Sequence, residues 1–156
     1  AAAVERLLAV LDSGAWASYL AMENEIDPKG LAARAAADQR IAYPWFADRQ
    51  SDMLFRVDGG SLMRGPFGII QPDAGQPAIQ PDWIIVPLIG ADRAGHRIGQ
   101  GAGHYDRALG ALRAKADITT IGLAWDVQLL DSVPADPWDQ PLDMIITPSQ
   151  AIEARR

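Results

Sequence analysis

The stretch Trp83-Ile84-Ile85-Val86-Pro87-Leu88 decides the fold class of this 156-residue chain. It is a continuous apolar run rich in β-branched residues, which is typical of a strand buried on both faces of a parallel sheet. Short apolar runs at 119–124 and 144–147 predict two more strands, and residues 3–12 and 104–115 have the spacing of helices. Strands that alternate with helices predict an α/β fold: a Rossmann-like three-layer sandwich with a mostly parallel sheet.

Weaker patterns in the first half of the chain predict further elements. They are a strand at 16–22, an Ala-rich helix at 28–38 that begins with Asp27-Pro28, a strand at 41–43 that Pro44 stops, and a strand at 53–57. The strand at 16–22 would deliver the carboxylates of the Glu23-Asn24-Glu25 sequence at its C-terminal end. Residues 51–81 contain many glycines and prolines, so we expect a long ordered loop or a small hairpin there.

Length and composition fit one domain over residues 1–156. The chain is 49% hydrophobic and 22% charged, which is an ordinary balance for a globular protein. A chain of this length buries a core without disulfides or a structural metal. Cysteine is absent, which excludes disulfide frameworks, thiolate zinc sites and cysteine nucleophiles, and which fits a reducing compartment.

The charge argues against nucleic acid as a partner. A net charge of -6 and a pI near 4.7 are opposite to the footprint of a protein that coats nucleic acid. The longest apolar runs are far shorter than the ~20 residues of a membrane-spanning helix. Glu5 and Arg6 interrupt the first apolar stretch, so no secretory signal is predicted. We expect a soluble cytoplasmic monomer that contacts neither nucleic acid nor membrane.

A glycine-rich segment follows the strongest strand and carries the candidate chemistry. Gly99, Gly101 and Gly103 alternate, so their N–H groups can approach a ligand without obstruction by Cβ atoms. Arg97 adds a positive charge, and Asp106 would stand in the first turn of the following helix. The pattern predicts phosphate binding with magnesium, or else simply a tight loop before a helix with a favourable acidic residue. It is neither a Walker A loop nor a dinucleotide-binding GxGxxG motif.

The same residues resemble the signature of the 5-formyltetrahydrofolate cyclo-ligase family, also called methenyltetrahydrofolate synthetases. The resemblance begins with residues 82–89 and 95–109. Further matching segments follow the family's order and lie at 22–26, 68–72, 121–128 and 133–147. The resemblance therefore covers the chain from about residue 16 to residue 147.

The resemblance implies an enzyme that closes a ring at the expense of ATP. Its substrates would be the reduced folate 5-formyltetrahydrofolate and ATP, with Mg²⁺, and its products 5,10-methenyltetrahydrofolate, ADP and phosphate. Phosphorylation of the formyl oxygen would make that oxygen a good leaving group, and folate nitrogen 10 would then attack the activated carbon. Such chemistry depends on positioning and charge neutralisation more than on covalent catalysis by side chains.

The resemblance also assigns site residues. Catalytic roles would fall to Arg97, His104 and Tyr105. ATP would be bound by Arg97, Ile98, Gly99, Gln100, Gly101, Ala102, Gly103, His104 and Tyr105. The folate would be bound by Leu20, Glu25, Phe46, Phe67, Gln100, Gly101, Ala102, Gly103 and His104. Magnesium would be held by Asp106 and Asp139, and the Glu25 carboxylate would accept paired N–H groups from the pterin.

Simpler structural roles exist for several of these residues. Glu25 would be a solvated residue at a strand end, Asp139 a turn-forming residue, and the phenylalanines and Trp138 packing residues. His96 fits a solvated loop, and Gln128, although it matches the family, would serve buried backbone groups.

The chain also departs from the family pattern. Family members usually begin with a basic helix, whereas Arg6 is the one basic residue before Trp16 here, so we expect that part to be either absent from this chain or unseen. His104 stands where the family commonly has Tyr, and Ala91 where it has a larger apolar residue. Two alternative functions stay open: another ATP- or phosphate-handling enzyme on the same fold, or a folate- or ATP-binding regulator without turnover.

Overall fold

The computed structural model describes residues 2–10, 14–31 and 40–154. Two α-helices and twelve short strands are present in those residues. The elements are α1 (Ala2–Val10), β1 (Ala15–Ala17), β2 (Arg40–Trp45), β3 (Leu54–Val57), β4 (Leu62–Arg64), β5 (Ile70–Pro72), β6 (Trp83–Val86), β7 (Gly90–Asp92), β8 (Arg97–Ile98), α2 (His104–Arg113), β9 (Thr119–Leu123), β10 (Leu129–Leu130), β11 (Met144–Ile146) and β12 (Ala151–Glu153). Single turns of 3-10 helix occur at Lys29–Leu31, Pro66–Gly68 and Asp126–Gln128.

Seven strands form the main sheet, in the order β12-β11-β9-β6-β1-β2-β3. The five inner strands run parallel to one another, and the edge strands β12 and β3 are antiparallel to their neighbours. The predicted mostly parallel sheet is therefore confirmed. β6 lies at its centre, between β9 and β1, where the continuous apolar run of this strand is covered on both faces.

Two apolar clusters lie on opposite faces of the sheet, because successive residues of a strand point to opposite sides. In β6, Ile84 belongs to one cluster and Ile85 to the other, and both side chains are fully buried. Leu109 of α2 packs into the cluster of Ile84, and Leu7 of α1 packs into the cluster of Ile85. A helix on each face confirms the three-layer arrangement.

Several predicted boundaries differ from the structure. The strand predicted at 16–22 corresponds to β1, which spans only Ala15–Ala17, because the chain leaves the sheet and turns at Glu23-Asn24. The helix predicted at 28–38 begins with the 3-10 turn Lys29–Leu31, and its remainder lies outside the described residues. The predicted helix at 3–12 corresponds to α1, whose last two predicted positions are likewise outside the described residues.

Pro44 does not stop β2, which continues to Trp45. The Ala42 carbonyl accepts a hydrogen bond from the Ser18 amide of the neighbouring chain segment. The nitrogen of Pro44, two residues later, faces the same side, beyond the last β1–β2 pair at Ala17 and Ala42. The missing N–H of proline therefore costs no ladder hydrogen bond, and β2 keeps its pairing with β3 on the other side.

Residues 51–81 contain β3 and then a hairpin of β4 and β5, so the small hairpin is the correct alternative for this segment. The predicted loop after β6 is more ordered than expected, because β7 and β8 form a second hairpin and β10 pairs with β7. No helix in the described parts of the chain combines the length and the apolarity that crossing a membrane requires.

Candidate active site

A cavity of about 1220 Å³ opens at the carboxyl edge of the main sheet. Its lining comes from the segments that follow the parallel strands β1, β2 and β6, and from the loop between β8 and α2. The representative residues are Leu20 after β1, Phe46 after β2 and Leu88 after β6. This edge is where open α/β sheets bind their ligands, because several loops end there side by side.

The cavity collects nearly all of the site residues predicted from the sequence. Those that line it are Leu20, Glu25, Phe46, Phe67, Arg97, Gly99, Gln100, Gly101, Ala102, Gly103, His104, Tyr105, Asp106 and Asp139. Ile98, which pairs with Gly90 in the β7–β8 hairpin, is absent from this lining. The structure tests the placement of these residues, and their roles stay predictions.

The glycine loop 99–103 connects β8 to the first turn of α2. Gly101 and Gly103 have φ angles of 91° and 66°, a left-handed conformation that glycine adopts without strain. A Cβ atom added at Gly99 or Gly101 would meet no other atom of the described chain within 4 Å. The loop backbone is therefore not covered by other atoms at these two positions, and it lies beside the N-terminus of α2. Gly103 is the N-cap residue of α2, and no side chain caps this helix end.

Arg97 and Asp106 form an ion pair at the base of this loop. Arg97 Nη1 lies 2.9 Å from Asp106 Oδ1, and the same oxygen accepts the Gln140 amide at 2.9 Å. The Arg97 side chain is only 6% exposed, and its Nε atom has no hydrogen-bond partner among the described residues. Arg97 lines the cavity, so its positive charge lies at the cavity wall.

Glu25 belongs to a tight turn that reaches the glycine loop. Its Oε2 accepts the Met22 amide at 2.8 Å, and its Oε1 lies 3.4 Å from Gln100 Nε2. The turn is made possible by Asn24, whose φ is 74°, and Trp125 Nε1 donates to the Asn24 carbonyl at 3.0 Å. Glu25 is therefore an anchored, half-buried carboxylate at the cavity wall and not a freely solvated residue.

Three rings form an aromatic wall of the cavity, namely Phe46, Phe67 and His104. Their centroids are 4.8 Å apart for Phe46 and His104, 5.0 Å for Phe67 and His104, and 5.3 Å for the two phenylalanines. Arg107 Nη2 lies 2.9 Å from His104 Nδ1. Partial burial, aided by the positive charge of Arg107, lowers the pKa of His104 below its ordinary value.

Tyr105 faces the cavity from the first turn of α2. Burial raises the pKa of its hydroxyl well above the ordinary value, and the negative charge of Glu25 adds to this, while the charge of Arg97 opposes it. The phenol therefore stays protonated and is a hydrogen-bond donor. Burial likewise raises the pKa of Tyr19, whose hydroxyl donates to the Ile26 carbonyl at 2.6 Å.

Asp139 both forms a turn and lines the cavity. Its Oδ2 accepts the Asp136 amide at 2.8 Å, and its own amide donates to the Asp136 carbonyl at 3.0 Å. The next residue, Gln140, is the one whose amide reaches Asp106. Across the described ranges, no three His, Cys, Asp or Glu side chains are grouped as metal ligands. A cation held by Asp106 and Asp139 would need ligand oxygens from phosphate and water.

Other residues singled out in the sequence lie away from the cavity lining. Gln128 Oε1 accepts the Trp125 amide, and its Nε2 donates to the Ile89 carbonyl, which is the backbone role expected for it. His96 contacts the Asp92 carboxylate at 3.2 Å, and Arg6 donates to the Pro148 carbonyl.

Sequence reasoning missed Arg107 and Gln140, which also line the cavity. Arg107 could have been identified from the sequence, because it stands one helical turn after His104. Gln140 could not, because its contact with Asp106 joins residues 34 positions apart.

The fold and the cavity define an α/β protein with a glycine loop and an aromatic wall at the carboxyl edge of its sheet. The chain belongs to the 5-formyltetrahydrofolate cyclo-ligase family, whose model matches residues 1–148. Its architecture is similar to that of 5,10-methenyltetrahydrofolate synthetase from Aquifex aeolicus, with a TM-score of 0.81 at 24% identity over 99% of this chain and 80% of that one. The corresponding protein from Mycoplasma pneumoniae gives a TM-score of 0.68 at 25% identity over 93% of this chain and 82% of that one.

Relatives of known sequence carry the same name. The 5-formyltetrahydrofolate cyclo-ligase of Mycolicibacterium smegmatis is 37% identical over 101 residues, which are 62% of this chain and 51% of the relative. That of Escherichia coli K12 is 38% identical over 77 residues, which are 49% of this chain and 42% of the relative. The chain thus spans about half the length of the curated relatives it matches.

Proposed function

We propose that this protein converts 5-formyltetrahydrofolate into 5,10-methenyltetrahydrofolate with the hydrolysis of ATP to ADP and phosphate. Family membership and the similar structures named above support this activity. The observation that carries it is the convergence of the glycine loop, Glu25 and the aromatic wall on one cavity. At about 1220 Å³ this cavity exceeds the volume usual for a single small ligand, so it has room for two substrates side by side.

The ATP phosphates would bind at the glycine loop. Gly99 and Gly101 leave space that the side chain of any other residue at these positions would fill. The N-terminus of α2 favours negative charge at the same place. Arg97 contributes the positive charge of a guanidinium at the cavity wall. Because these donors are already in position, they would stabilise charge on a transferring phosphoryl group with little rearrangement.

The folate would bind against the aromatic wall. Phe46, Phe67 and His104 offer ring edges and faces to a flat pterin or benzoyl group. Glu25 supplies a carboxylate at the cavity wall for the paired N–H groups of the pterin. Leu20 contributes an apolar contact beside it.

In the proposed reaction, the formyl oxygen attacks the γ-phosphorus and the bond to ADP breaks. Folate nitrogen 10 then attacks the activated carbon and loses its proton, and the carbon–oxygen bond breaks to release phosphate. Arg97 would neutralise the phosphoryl charge, and the protonated Tyr105 hydroxyl would donate a hydrogen bond to a ligand oxygen. Magnesium, held by Asp106 and Asp139, would supply further charge neutralisation when bound.

The absorbance of the methenyl product tests this function directly. We expect product formation from 5-formyltetrahydrofolate that requires both ATP and Mg²⁺. Arg93→Gln is the control variant for substitutions at the cavity arginines, because Arg93 is an exposed arginine that contacts Gln150 outside the cavity. Absence of turnover, together with retained binding of folate and ATP in calorimetry, would instead favour a non-catalytic binding protein. The cytoplasmic location and the monomeric state stay predictions.

A further inference from the structure

Arg107 makes a contact with His104 that defines where the imidazole proton lies. Arg107 Nη2 lies 2.9 Å from His104 Nδ1, and a guanidinium nitrogen can only donate. Nδ1 is therefore the acceptor of this hydrogen bond. In a neutral imidazole the proton must then be on Nε2.

The surroundings of His104 favour the neutral ring. The imidazole packs against Phe46 and Phe67 with centroids 4.8 Å and 5.0 Å away. A proton on Nδ1 would point at the Arg107 guanidinium, which is itself only a donor. An acceptor contact with Arg107 is also possible only for the neutral form.

The Nε2 atom has no hydrogen-bond partner among the described residues, whereas Nδ1 is engaged by Arg107. His104 lines the cavity, so a donor in this ring is available to a bound molecule. The complementary chemistry is an oxygen acceptor. Both proposed substrates contain one, as a phosphate oxygen of ATP or the formyl oxygen of the folate.

We propose that Arg107 is a positioning residue that fixes His104 as its Nε2–H tautomer and directs this donor to an oxygen of the bound ligand. The tautomer rests on geometry alone, while the identity of the ligand rests on the proposed function. Arg107 is suited to this task because it stands one helical turn after His104 on α2. It also donates to the Ala102 carbonyl at 3.1 Å, which ties the ring orientation to the glycine loop.

Nitrogen-15 NMR of the imidazoles tests the tautomer without any ligand. The chain contains only two histidines, and His96→Gln assigns the spectrum by elimination. We expect His104 to show a protonated Nε2 and an unprotonated Nδ1 at neutral pH. Arg107→Leu should produce a mixture of tautomers, and Arg107→Lys should retain the original one, because an ammonium also only donates. A protonated Nδ1 in the parent protein, or an unchanged spectrum in Arg107→Leu, would overturn the assignment.

Calorimetry with ATP alone and with 5-formyltetrahydrofolate alone identifies the acceptor. His104→Phe keeps an aromatic ring and removes the donor, so we expect the affinity for one of the two ligands to fall about tenfold, the scale of one neutral hydrogen bond. The ligand affected is the one that supplies the oxygen. Unchanged affinity for both ligands would overturn the donor role, even if the NMR result stands.

A double-mutant cycle separates positioning from the contact with Ala102. If Arg107 acts through His104, part of the affinity loss in Arg107→Leu must disappear when the His104→Phe change is already present. Equal losses in both backgrounds would mean that Arg107 only holds the loop. Circular dichroism of every variant, with Arg93→Gln as the matched control, excludes loss of folding as the cause.

Discussion

Arg97 Nη1 and Asp106 Oδ1 lie 2.9 Å apart, so the two charged groups that the sequence assigns to different ligands form one ion pair. The sequence assigns Arg97 to phosphate and Asp106 to magnesium. In the folded protein, the Arg97 guanidinium fixes the Asp106 carboxylate, and Gln140 holds the same oxygen through its amide. The other carboxylate oxygen, Oδ2, has no hydrogen-bond partner among the described residues. A ligand could therefore engage both residues without breaking the pair.

Replacement of Arg97 tests the phosphate role. We expect Arg97→Ala to lower turnover about 100-fold or more, on the scale of losing one preorganised donor to a transferring phosphoryl group. Arg97→Lys should lose less, because it keeps the charge but not the forked geometry. Steady-state kinetics measure both variants, with Arg93→Gln as the control. Parent-like kinetics in Arg97→Ala would remove Arg97 from the site.

Asp106 and Asp139 should differ in how their replacement affects stability. Asp106→Asn leaves the 6% exposed Arg97 side chain without its counter-charge, so we expect the free energy of unfolding to fall by about 1–3 kcal/mol. Asp139→Asn should change it little, because an asparagine at this partly exposed position can still accept the Asp136 amide. Chemical denaturation measures the difference.

The same two variants test magnesium binding. If both carboxylates contact the metal, each variant should need more Mg²⁺ for half-maximal turnover, since an amide lacks the charge that a hard cation prefers. A Mg²⁺ titration of the assay measures this. Two curves that overlay the parent curve would exclude both residues as ligands.

Glu25→Gln separates folate binding from phosphate binding. The change removes the charge and one acceptor of the carboxylate, so we expect folate affinity to fall by about 1.5–3 kcal/mol while ATP affinity stays unchanged. The Met22 amide still finds an acceptor in the side-chain oxygen of the introduced glutamine, so the turn at the cavity wall should persist. Calorimetry measures both ligands. Equal losses for both would indicate a folding defect, and an unchanged folate affinity would exclude the pterin contact.

The central strands could be predicted from the sequence because burial on both faces leaves a continuous apolar run. Ile84, Ile85 and Val86 are all fully buried, and the run that contains them is β6. The prediction that Pro44 ends the strand was wrong, because a proline costs a ladder hydrogen bond only where a neighbouring strand would accept its N–H. The position of that neighbour, β1, is known only from the tertiary structure. β12 was missed for a related reason: only Ile152 of its three residues is buried, so it carries too little apolar pattern.

Most of the cavity residues were predicted from the resemblance to the family, whereas their mutual contacts were not. Local sequence shows that Arg97 precedes a glycine loop, but its pairing with Asp106 requires that the loop fold back across the start of α2. Gln140 comes from a separate turn and has no local pattern that marks its contact. Contacts between distant segments follow from packing, which periodicity does not describe.

The hydrogen bonds that the Asp92 carboxylate accepts lead us to expect a loss of protein stability in acid. Burial alone would raise the pKa of its carboxyl, but hydrogen bonds from the Val133 amide and from the side chain and amide of His96 outweigh this and lower it. The folded pKa thus lies below the unfolded pKa, so the contribution to stability is complete above about pH 3.9 and is lost as the pH falls through the folded value. Thermal denaturation across this range should show a shallower acid decline in Asp92→Asn, from a lower starting stability. Parallel curves would exclude Asp92 as a source of acid sensitivity.

Gly99→Ala should separate ligand binding from stability more cleanly than any other change in the loop. A Cβ at this position meets no other described atom within 4 Å, and the φ angle of Gly99 lies outside the left-handed region. The variant should therefore be as stable as the parent, or more stable by about 0.4–1 kcal/mol because the unfolded chain is less flexible. Its methyl group would nevertheless occupy the space in which the proposed phosphates lie, so ATP affinity should fall. Gly101→Ala is the comparison variant, since a φ of 91° makes it costly to folding as well. Denaturation and ATP calorimetry on both variants measure the two effects separately, and an unchanged ATP affinity in Gly99→Ala would place the phosphates elsewhere in the cavity.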